Sequence, residues 1–95
     1  LEEISSLSKE YVYSWVEGAT GGETVEVAFI QAAKPTAPDW KAAAWDNITP
    51  AGADARILIG PGTTAVLVDG TYQMWVRVTT VAEEPVLRAG PVVII

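Results

Sequence analysis

The chain has 95 residues, 49% hydrophobic and 19% charged, with a net charge of −6 and a pI of about 4.3. That is one domain's length, and it is too apolar for disorder, which needs low hydrophobicity together with high net charge. Twelve acidic residues against six scattered basic ones exclude a surface that draws its affinity from phosphates, so neither nucleic acid nor an anionic membrane is an expected partner.

Residues 1–8 carry Ile4 and Leu7 three apart but sustain no helix, and they read as an N-terminal arm ahead of a domain at 9–95. A period of two then governs nearly every apolar segment. In residues 11–16, Tyr11, Tyr13 and Trp15 share one face and Val12, Ser14 and Val16 the other, a strand signature. After the break at Gly18, Gly21 and Gly22, residues 23–30 alternate Val25, Val27 and Phe29 with Thr24, Glu26 and Ala28, as in a sheet with one wet face. Pro35 and Pro38 mark a loop over 32–39. Residues 40–45 are read as a third strand, because six residues between that loop and Asp46-Asn47 are too few for a stable helix despite three alanines.

Residues 53–59 form a fourth strand, ended by the Gly60-Pro61-Gly62 turn, and the β-branched residues 64–68 a fifth. Past Asp69-Gly70, residues 71–80 give the clearest strand, with Tyr72, Met74, Val76 and Val78 on one side and Gln73, Trp75, Arg77 and Thr79 on the other. A last strand spans 86–95, interrupted at Gly90-Pro91. Seven short strands with regular turn signals predict an all-β, seven-stranded immunoglobulin-like antiparallel β-sandwich. In that frame Tyr72 stands where such sandwiches place a tyrosine whose hydroxyl bonds back to the backbone. Met74 takes the place of the second cysteine, and Trp40 or Trp45 that of the inter-sheet tryptophan on strand C.

Catalysis has little to stand on. There is no cysteine and no histidine, which removes thiol chemistry, disulfides and the commonest general base and metal ligand. Glu83 and Glu84 are adjacent, so on a strand they point apart. Asp39, Asp46, Asp54 and Asp69 sit at separate junctions without the spacing of a calcium loop. No enzyme activity and no cofactor or metal is expected. Binding is the expected task, and the outward residues Gln73, Trp75 and Arg77 are the candidate interface, with Trp75 as an aromatic anchor and Arg77 able to grip a carboxylate. The apolar end Val92-Val93-Ile94-Ile95 adds Val93 and Ile95, either covered by the domain's own sheet or open to a partner strand.

The series Asp39-Trp40-Lys41-Ala42-Ala43-Ala44-Trp45, then Ile59-Gly60-Pro61-Gly62, then Gly70-Thr71-Tyr72-Gln73-Met74-Trp75-Val76-Arg77-Val78, then Glu84-Pro85-Val86-Leu87-Arg88-Ala89-Gly90 resembles small virion proteins of tailed bacteriophages, especially those infecting actinobacteria. The likeness covers residues 25–95 and departs at the last turn, where Ala82 and Glu83 precede Glu84-Pro85-Val86 without a proline before the Glu. It implies a structural component of the particle, a capsid decoration or accessory protein or part of the head–tail region, assembled in the bacterial cytoplasm. Its partners would be other virion proteins or further copies of itself. Two other readings stand beside it: an immunoglobulin-like module of a larger bacterial surface or secreted protein, and a carbohydrate-binding sandwich with Trp15, Trp45 or Trp75 as stacking platforms.

Overall fold

Alternating apolar residues build strands that can bury one face each, and two such sheets bury those faces against one another. The computed structural model describes residues 2–31 and 33–95; Leu1, at the head of the expected arm, and Ala32, at the head of the expected loop, lie outside the described residues. The described residues form eight strands rather than seven: β1 (Glu2–Ile4), β2 (Glu10–Glu17), β3 (Thr24–Ile30), β4 (Lys41–Ala42), β5 (Ala44–Thr49), β6 (Gly52–Ile59), β7 (Gly70–Thr79) and β8 (Val86–Ile94). One sheet has five strands in the order β1-β8-β7-β3-β4, the other three in the order β2-β6-β5. The molecule is an all-β sandwich of these two layers.

The core follows from the alternation. Val12 and Val16 on β2, Ala53, Ala55, Ile57 and Ile59 on β6, Val25 and Val27 on β3, Tyr72, Met74, Val76 and Val78 on β7, and Val92 and Ile94 on β8 form one buried cluster. Each large apolar side chain fully buried in this way contributes about 1.5–3 kcal/mol. The Tyr72 hydroxyl donates to the Val68 carbonyl at 2.8 Å. The expected tyrosine bond therefore forms, and it ties the chain entering β7 to the strand itself.

Four expectations are corrected. The arm is not free: β1 lies parallel to β8, Glu3 opposite Val93 and Ile4 opposite Ile94, and Ile4 joins the core. Every other strand pair is antiparallel. The single strand over 40–45 is two strands in two sheets, for the chain crosses from the five-stranded to the three-stranded sheet at Ala43, whose N–H donates to the Val25 carbonyl. The alanine run has no strong facial preference to announce that crossing. Residues 64–68 form no regular strand, only an isolated bridge between Ala65 and Ile59. They carry the chain from one sheet to the other, and Val66 and Val68 stay exposed.

The tryptophans are the fourth correction. Trp40 lies on no strand and sits outside the core, under the Arg77 guanidinium. Trp45 is on β5, opposite Ala55, and half-buried against the core, with its Nε1 donating to the Glu23 carbonyl at 2.8 Å. It bridges the two sheets from the edge. Gly90, at φ 132°, allows the irregularity in β8 where the register slips between Met74 and Trp75, a conformation in which a side chain would be strained.

Candidate interaction surfaces

The outer face of the five-stranded sheet carries the residues singled out by sequence. Gln73, Trp75 and Arg77 lie in one stripe along β7, flanked by Ile30, Ala28 and Glu26 of β3 and by Pro91, Arg88 and Val86 of β8. Arg77 is engaged within the chain. Its Nε and Nη2 donate to Glu26 Oε1 at 3.0 and 2.8 Å, and its guanidinium lies 4.6 Å above the Trp40 ring. Trp75 is half-buried and directly opposite Ala28, and Ala28 and Ile30 are buried although they stand outside the core between the sheets. The sheet has thus built a thin apolar layer on its outer side. Val93, opposite Thr71 and Glu3 and half-buried, continues the β8 row of this face beyond Pro91, whereas Ile95 is 59% exposed past the end of β8. The apolar terminus is covered by its own sheet, since β8 runs between β7 and β1.

The outer face of the three-stranded sheet is different. Val12 and Val16 point into the core, which turns Tyr11, Tyr13 and Trp15 outward at 45, 47 and 49% exposure. Their partners on β6 are Leu58, Arg56 and Asp54. Arg56 places its guanidinium 4.5 Å above the Tyr11 ring and reaches Asp46 at 3.7 Å, while Asn47 donates to Asp54 at 3.1 Å. The Tyr11 and Tyr13 rings are 6.2 Å apart and tilted by 49°. The face is an aromatic row on the edge strand beside a row of mutually paired polar groups. Sequence reasoning placed these three aromatics on one face but did not choose them as the interface. The signal was indirect: their β6 partners alternate alanine and isoleucine with Asp54 and Arg56, so the polar side of β6 had to face water.

A cleft of about 460 Å³ opens where Lys9, Tyr11, Arg56, Leu58 and Thr63 meet the crossing segment at Ala43. It holds no pair of acid and base groups. Among the described residues no three Asp or Glu side chains converge as metal ligands, and no helix is long and apolar enough to cross a membrane. At the start of β3, Glu23 closes the glycine loop: its carboxylate accepts the N–H groups of Thr20 and Gly21 at 3.1 and 3.0 Å and the Thr20 hydroxyl at 3.0 Å. These bonds, the Thr20 N–H foremost, hold the carboxyl below its ordinary pKa. The chain matches no protein-family model, no curated protein and no solved structure.

Proposed function

We propose that the chain is an immunoglobulin-like sandwich that serves as a non-enzymatic structural protein of a tailed-phage particle, working through protein–protein contacts. Strand order supports the fold assignment: β8, β7, β3 and β4 correspond to G, F, C and C′, and β2, β6 and β5 to B, E and D, with the Tyr72 bond at the start of F. Met74 sits in the core two residues beyond Tyr72, where a disulfide-bonded relative would carry cysteine.

The observation that carries the functional reading is the row of Tyr11, Tyr13 and Trp15, each close to half exposed on a domain of 95 residues. Aromatics of this kind are the anchors of protein interfaces. A glycan platform fits less well, because stacking wants free and coplanar rings, whereas Tyr11 is capped by Arg56 and tilted by 49° from Tyr13. The test is co-sedimentation of the purified chain with heads and tails of a tailed actinobacteriophage. The wild type is expected to pellet with one of them, and Trp15→Ala to weaken binding at least about 30-fold, as for an interface hot spot, with its melting temperature kept. A chain that stays in the supernatant with both would remove the virion assignment.

A further inference from the structure

We infer that the free edge of β2 is the seam of a homodimer, in which the β2 strands of two copies pair antiparallel about a two-fold axis at Tyr13. The inference rests on the reading of the chain as a protein-contact module, and not on which particle it serves.

Sheet edges left open invite pairing, and proteins blunt them with short strands, bulges, charge or proline. The other sheet ends are blunted in these ways. β1 has three residues and β4 two. β5 is broken by a register shift between Asp46 and Thr49, where Asn47 takes a φ of 50°. By contrast β2 has eight residues, pairs with β6 over its whole length without a slip, and contains neither proline nor glycine. Among the described residues nothing pairs with its other edge.

Antiparallel pairing sets residues of like orientation opposite each other, so only registers that keep the aromatic row on one face are open. With Tyr13 opposite itself, Tyr11 meets Trp15 of the second copy, Val12 meets Ser14, and Lys9 meets Glu17. Lys9, the residue just ahead of β2, and Glu17, its last residue, therefore supply two oppositely charged pairs, one at each end of the seam, with both side chains exposed in the single copy. Sliding by two residues in one direction sets Glu17 against Tyr11, and in the other Lys9 against Trp15, and both lose the charge match. Opposite charges across a strand pair stabilise it and like charges oppose it. The three-stranded sheets of the two copies would run on as one, and their aromatic rows would merge into a single patch.

The test is the molar mass of the intact chain by light scattering and sedimentation across a concentration series, with thermal melting to confirm folding. The wild type should pass from monomer to dimer. Lys9→Glu should weaken the dimer by about tenfold in Kd, by setting like charges at both ends of the seam. Glu17→Lys should weaken it too, although it lowers the net negative charge, and the double reversal should restore the wild-type Kd. A wild type that stays monomeric at millimolar concentration, or a dimer that Glu17→Lys strengthens, overturns the inference. A dimer that ignores phage particles would keep this seam and remove the virion assignment; a monomer that binds them would do the reverse.

Discussion

The two outer faces of this sandwich use the same residue types to opposite ends. On the five-stranded sheet, Trp75 and Arg77 project from β7, which has strands on both sides, and they are absorbed: Arg77 by Glu26 and Trp40, Trp75 over buried Ala28. On the three-stranded sheet, Tyr11, Tyr13 and Trp15 project from β2, which among the described residues has a neighbour on one side only, and each residue stays nearly half exposed. Cross-strand neighbours are what cover a side chain on a sheet. An aromatic in mid-sheet becomes part of the fold, and one at an edge is left for a partner.

Exchanging the roles of the two tryptophans would break this comparison most directly. Trp75→Ala should lower stability by about 2 kcal/mol, seen as a fall of about 10 °C in Tm, because it removes a large ring packed on the sheet. Trp15→Ala should leave the Tm nearly unchanged. Equal losses from the two would mean that the faces do not differ in kind.

The ion pairs sharpen the contrast on a smaller scale. A double-mutant cycle on Arg77 and Glu26, partners at 2.8 Å with about a quarter of each side chain exposed, should give a coupling of about 1 kcal/mol. The corresponding cycle on Arg56 and Asp46, at 3.7 Å and more exposed, should give none that can be resolved. A measurable coupling there would show a more ordered outer face on the three-stranded sheet.

The smallest effect concerns the loop between the sheets. The carboxyl of Glu23 titrates below its unfolded value of 4.5, so its contribution is fully present above that pH and is lost as the pH falls through the folded value. The Tm gap between the wild type and Glu23→Gln should be present at pH 7 and close as acid carries the pH down through the lowered pKa of the folded carboxyl. A gap independent of pH would show that the ionised carboxylate is not what holds Thr20 and Gly21.

Much of this molecule is legible in alternation alone, because a strand's side chains point to opposite faces in turn. The face of β7 with Tyr72, Met74, Val76 and Val78 reads as core against Gln73, Arg77 and Thr79, and so it is. On β2 the same rule is silent, since Tyr, Tyr and Trp stand against Val, Ser and Val and both faces are eligible. Trp75 and Arg77 could be placed outward, but not shown to be engaged, because Glu26 lies 51 positions away in the chain and Trp40 comes from a separate loop.

The sequence by itself determined β2, β3, β6, β7 and β8 with their alternation, the turn at Gly60-Pro61-Gly62 and the Tyr72 bond, all of which depend on residues a few positions apart. Only the tertiary structure decided that the 40–45 segment divides between two sheets, that β1 closes one side of the larger sheet, and that β2 is left as an open edge. Those outcomes depend on which strands are neighbours, and neighbours are chosen by pairing across the whole chain, where no local pattern records the choice.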